Sequence, residues 1–71
     1  MIEVDYRGYS CPIPCEKTKR VCEENPGQEI KILLDDYTAV QNVTRLGGNS
    51  GYDVSVSRDG DDYVLTLKPL K

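Results

Sequence analysis

Residues 9–15 read Tyr-Ser-Cys-Pro-Ile-Pro-Cys, which sets two thiols beside two helix-unfriendly prolines. A residue that precedes proline avoids the α conformation. Cys11 is therefore expected to be extended, as suits the residue that caps a helix. Pro12 then becomes the first helical residue, where its missing N–H is not needed. Pro14 falls at the third position, still in the turn whose N–H groups lack partners inside the helix. Ile13 also precedes a proline, a local strain. The pattern predicts a helix with the Cys11 sulfur at its N-terminal tip.

That position has electrostatic consequences. The positive end of a helix dipole favours a thiolate by roughly 0.3–1 kcal/mol when exposed and up to about 2 when partly buried. The thiol pKa then drops by a few tenths to about 1.5 units. Arg7 in the preceding loop adds to this, and Lys17 less so. The prolines leave mainly the N–H groups of Ile13 and Cys15 to face the sulfur. Cys11 is thus the candidate nucleophile.

The other two cysteines read differently. Cys15 and Cys22 share one helix face with Thr18 between them, as core residues would. Cys15 lies one turn from Cys11, so a role as a second thiol stays open beside packing. The spacing C-x3-C-x6-C in a chain without histidine is not a zinc pattern, and no metal or cofactor is expected. Nor is it the C-x2-C of a thioredoxin-like site. Three cysteines confined to the first third suggest thiols in a reducing compartment, so a cytoplasmic location is expected.

Charged residues have simpler readings. Lys17, Lys19 and Arg20 form a solvated helix face or a docking patch for acidic partners. Asp35 and Asp36 are read as helix caps. Asp59, Asp61 and Asp62 are read as turn chemistry, without EF-hand spacing.

A chain of 71 residues is expected to form a single domain, 1–71. Apolar residues are 38% of it, with no Phe or Trp, so the core must be aliphatic with help from tyrosine. A net charge of -3 argues against nucleic acid as a main partner. No apolar run approaches the roughly 18 residues of a membrane span. A monomer is expected.

The elements that must position Cys11 follow from hydrophobic periodicity. Ile2 to Asp5 alternates as a first strand. A helix from Pro12 to about Glu24 ends at Asn25-Pro26-Gly27. Glu29 to Leu34 is a second strand with Ile30, Ile32 and Leu34 on the core side. A second helix opens at Asp35-Asp36, with Asp36 as N-cap, and stops at the glycine-rich run from Gly47 to Gly51. The rest is a hairpin turning at Asp59-Gly60. That turn sets Val56 opposite Tyr63, Val54 opposite Leu65 and Tyr52 opposite Leu67. The order βαβαββ predicts a two-layer α/β sandwich: a four-stranded mixed sheet with two helices on one face.

Asp5, Arg7 and Gly8 followed by Cys11-Pro12-x-Pro14 resemble the signature of the TusA/SirA family of small sulfur-carrier proteins. The likeness extends over the whole chain, through Thr18-Lys19, Asp35-Asp36 and Gly51. It implies that Cys11 accepts a sulfane sulfur as a persulfide and relays it to a partner protein. The settings would be tRNA thiolation, cofactor assembly, or sulfur and selenium metabolism. The implied partners are a sulfur donor, such as a cysteine desulfurase or rhodanese-like protein, and a sulfur acceptor. The implied protein is a sulfurtransferase-type relay and not an independent enzyme. Tyr9, Cys15 and Tyr52 depart from the family pattern. Two alternatives remain open on the residues: a thiol-disulfide or persulfide reductase using Cys11 and Cys15, and a regulatory binding module.

Overall fold

A computed structural model describes residues 2–9 and 13–70. The elements are β1 (Ile2–Asp5), α1 (Ile13–Glu24), β2 (Ile30–Leu34), α2 (Tyr37–Asn49), β3 (Tyr52–Asp59) and β4 (Asp62–Pro69). The sheet order is β1-β2-β4-β3. β1 and β2 are parallel, with Val4 beside Ile32, and the pairs β2–β4 and β4–β3 are antiparallel. This is the expected four-stranded mixed sheet with two helices, in the order βαβαββ.

Alternation decides which side of the sheet is covered. On β2, Ile30, Ile32 and Leu34 are buried, and their β4 neighbours Leu67 and Leu65 meet them. Ala39, Val40 and Val43 of α2 close over these residues. α1 contributes the buried Pro14 and Thr18, flanked by the half-buried Cys15, Val21 and Cys22. Positions 14, 15, 18, 21 and 22 recur at helical spacing, so one stripe of α1 faces the core. On the other side of the sheet Glu3 lies beside Lys31, 3.9 Å apart.

Two sequence expectations are corrected by the structure. The hairpin pairs Val56 with Leu65, Val54 with Leu67 and Tyr52 with Pro69, two residues away from the predicted register. Its closing pair is Asp59 with Asp62, so the turn residues are Gly60 and Asp61. Gly60 has φ +65, and no residue other than glycine has a positive φ among those described. That is the pattern of a type II′ turn, whose first central residue is glycine. A turn at Asp59-Gly60 of type I′ would have put Asp59 at positive φ.

The second correction concerns α2. The helix does not stop at Gly47 but runs through Gly47 and Gly48 to Asn49. Gly47 is buried, and a Cβ there would lie 2.7 Å from Val54 Cγ2. Glycine at this point lets the helix approach the sheet. The left-handed residue comes later, at Gly51 with φ +86.

Candidate functional site

Among the predicted site residues, Cys11 and Pro12 lie outside the described residues. The turn that precedes them, up to Tyr9, and helix α1 from Ile13 onward are described. β1 ends at Asp5, and its ladder extends one step further as the Tyr6 N–H donates to the Leu33 carbonyl. Arg7 and Gly8 then form a turn, with Gly8 at φ +88. No atom lies within 4 Å of where a Cβ on Gly8 would sit, so it is the backbone conformation and not crowding that favours glycine.

Asp5 and Arg7 fold onto each other. Arg7 Nε donates to Asp5 Oδ1 at 2.9 Å and Nη2 to Oδ2 at 2.8 Å. The Arg7 backbone N–H adds a third bond to Oδ1 at 3.0 Å. The Arg7 guanidinium, helped by that N–H, holds the Asp5 carboxyl down at about 2. Asp5 in turn raises the pKa of Arg7, with help from Asp62. The remaining arm of the guanidinium, Nη1, donates to Asp62 Oδ2 at 2.9 Å. One guanidinium is therefore shared between two carboxylates.

A second long-range bond holds the turn. The Gly8 N–H donates to Asp35 Oδ2 at 3.0 Å. The Asp35-Asp36 pair thus divides its work. Asp36, extended at φ -123, is the N-cap of α2 and accepts from the Thr38 N–H. Asp35 leaves the cap and ties the β1–α1 loop to the β2–α2 loop. The sequence carried one sign of this: a single carboxylate suffices for a cap, so the other was spare. Nothing in the sequence marked Asp62 as the partner of Arg7.

Beyond the turn, Tyr9 stands edge-on to Tyr6, with ring centroids 6.4 Å apart. Lys17 Nζ lies 5.3 Å from the Tyr9 ring and 6.0 Å from the Tyr6 ring. That is cation–π distance, so Lys17 reaches back from α1 toward the loop. Tyr9 is 43% exposed and Ile13 42%. The last described residue before Cys11 and the first after Pro12 sit among apolar surface open to solvent. A groove of 350 Å³ runs beside them along α1, lined by Tyr6, Ile13, Glu16, Lys17, Arg20 and Val21.

The remaining predicted residues fall on α1. Pro14 is buried in its first turn. Cys15 is half-buried and packs against the core. Cys22 is set apart from this region, roughly 13 Å along the helix from Ile13 at 1.5 Å per residue. Burial raises its thiol pKa, and a hydrogen bond with Tyr52 pulls the other way more weakly. A larger cleft of 760 Å³ opens there, lined in part by Cys22, Tyr52, Pro26 and Leu70. It is at the far end of α1 from the anchored loop and belongs to a different surface. Among the described residues no helix is long and apolar enough to cross a membrane.

Fold and anchored loop together define a small two-layer α/β protein that presents one loop, pinned by carboxylates, at the C-terminal end of its parallel strand pair. Comparison with known proteins agrees. Residues 2–68 match the family described as sulfurtransferase TusA. A protein of Methanocaldococcus jannaschii that bears the name "Putative sulfur carrier protein" is 37% identical over 70 residues, covering 96% of this chain and 93% of that one. The crystal structure of a SirA-like protein from Desulfitobacterium hafniense superposes with a TM-score of 0.89 at 27% identity, covering 96% of both chains. The chain belongs to the TusA sulfurtransferase family.

Proposed function

We propose that this protein is a sulfur carrier that holds sulfane sulfur as a persulfide on Cys11. The observation that carries the reading is the family match over residues 2–68, with Cys11-Pro12-Ile13-Pro14 leading into α1. The anchored turn at Arg7-Gly8 and the exposed Tyr9 and Ile13 support it, because a carrier needs a sulfur that two partners can reach in turn.

The chemistry is a pair of exchanges at sulfur. The Cys11 thiolate attacks the terminal sulfur of a donor persulfide. A new S–S bond forms to Cys11, the donor's S–S bond breaks, and the donor leaves as a thiolate with that electron pair. The terminal sulfur keeps its proton. An acceptor thiolate then attacks the same terminal sulfur and releases Cys11 as thiolate. The two exchanges are redox-neutral overall. The helix dipole of α1 favours the thiolate at the start and end of the cycle. Partners are a sulfur-donor and a sulfur-acceptor protein, and the cytoplasm, with its reduced thiols, is the compartment that suits this chemistry.

Incubation with a cysteine desulfurase and cysteine, followed by intact-mass measurement, tests the reading. The expected result is a gain of one sulfur atom on the wild type, reversed by a reductant and absent from Cys11→Ser. Sulfur loading of the Ser variant, or none on the wild type from either the desulfurase or thiosulfate with a rhodanese, overturns it.

A further inference from the structure

We infer that Asp35 and Asp62 are positioning residues for sulfur transfer at Cys11, an inference that rests on the carrier reading above. Both carboxylates come from parts of the chain remote from the loop. Asp62 opens β4, 55 positions from Arg7, and Asp35 follows β2, 27 positions from Gly8. Each bonds the short turn that leads to Cys11, one through a side chain and one through the backbone.

The chain uses few contacts to hold this turn. The last ladder bond, Tyr6 N–H to Leu33, comes before it, and among the described residues the first buried one after it is Pro14. Between them Arg7, Gly8 and Tyr9 are exposed. Apart from the local Asp5–Arg7 pair and the Tyr9 N–H bond to the Tyr6 carbonyl at 3.4 Å, the Asp35 and Asp62 bonds are the hydrogen bonds that tie the turn to the body of the fold among the described residues. They are charge-assisted and directional. Their surroundings are solvated, so they add little to global stability. Their effect is local: they set where the turn leaves the sheet.

Direction matters because sulfur exchange needs the attacking sulfur, the transferred sulfur and the leaving sulfur in a defined arrangement. A displacement of about 1 Å at a reacting group can slow a reaction by as much as 10²-fold. Asp36 already caps α2, so capping does not account for the Asp35–Gly8 bond.

The test separates positioning from charge and from folding. Sulfur loading from a desulfurase persulfide is followed in single turnovers for wild type, Asp35→Ala, Asp35→Asn and Asp62→Ala. An asparagine keeps a carbonyl acceptor for the Gly8 N–H but carries no charge. The pH dependence of Cys11 alkylation by iodoacetamide is measured beside it. Asp35→Ala and Asp62→Ala are expected to load about tenfold more slowly, with folded circular dichroism spectra and an unmoved alkylation midpoint. Asp35→Asn is expected to load within about twofold of wild type. Alanine variants that load at the wild-type rate overturn the inference while leaving the carrier reading intact. An Asn variant as slow as the Ala variant, with the alkylation midpoint shifted, overturns it in favour of a charge effect. A wild type that takes up no sulfur overturns the carrier reading and the inference with it.

Discussion

Arg7 and Asp62 stand 55 positions apart in sequence and 2.9 Å apart in space. The bond joins the exit of the first strand to the start of the last. The same guanidinium grips Asp5 through two further N–H groups, so one side chain serves two carboxylates.

Asp5 should therefore titrate low. Its pKa is about 2 in the folded chain against 3.8 ordinarily. A depressed carboxyl stabilises the folded state above its unfolded value, and that contribution is lost as pH falls from 3.8 through about 2. A carboxyl-carbon NMR titration should give an Asp5 midpoint near 2 in wild type and a return toward 3.8 in Arg7→Gln. An Asp5 that titrates at its ordinary value in wild type would show that the pair does not persist in solution.

Cys22 should behave as a sheltered thiol. Burial raises its pKa, and the Tyr52 hydroxyl, by donating to the sulfur, partly offsets this. In a Cys11→Ser background, iodoacetamide should label Cys22 slowly at neutral pH and faster as pH rises past 9. Tyr52→Phe removes the donor that favours the thiolate, so labelling should slow further. Faster labelling in Tyr52→Phe would mean that the ring shields the sulfur more than its hydroxyl helps it.

Neighbouring glycines in α2 should respond oppositely to alanine. At Gly48 nothing lies within 4 Å of an added Cβ. Gly48→Ala should stabilise the protein by about 0.5–1 kcal/mol through helix propensity. At Gly47 the Cβ would meet Val54 Cγ2 at 2.7 Å and Leu67 Cδ2 at 3.2 Å. Gly47→Ala should be destabilising by about 1–3 kcal/mol before the propensity gain is subtracted. Thermal unfolding separates the two, since about 1 kcal/mol moves Tm by roughly 4–8 °C in a domain of this size.

The hairpin register has its own signature. Leu65 is fully buried, yet its cross-strand partner Val56 is 47% exposed. Leu65→Ala should cost about 2–5 kcal/mol. Val56→Ala should stay within about 0.5 kcal/mol. Urea unfolding of both variants checks the contrast, and a large loss at Val56 would place that residue under more cover than the fold provides.

The element order, the sheet class and the core face were legible in the sequence because they rest on local periodicity. Ile30, Ile32 and Leu34 alternate, and α1 repeats its apolar residues every three or four positions. The Asp5-Arg7-Gly8 and Cys11-Pro12-x-Pro14 pattern was legible for the same reason, since its members are close in the chain. The hairpin register was not. A shift of one residue would have moved every apolar side chain to the wrong face, but a shift of two leaves the faces unchanged. Hydrophobic pattern could not choose between them; the turn did, because the observed one asks a positive φ of Gly60 alone, whereas a type I′ turn at Asp59-Gly60 would ask it of Asp59 as well. Likewise the glycine run after Leu46 read as a stop until the sheet beneath it made Gly47 a point of close approach. Asp35 and Asp62 lay hidden longest. A carboxylate's partner is set by which loops the sheet gathers at one end, and only the order that sets β2 beside β1 and β4 on the far side of β2 brings those two carboxylates to the turn at Arg7 and Gly8.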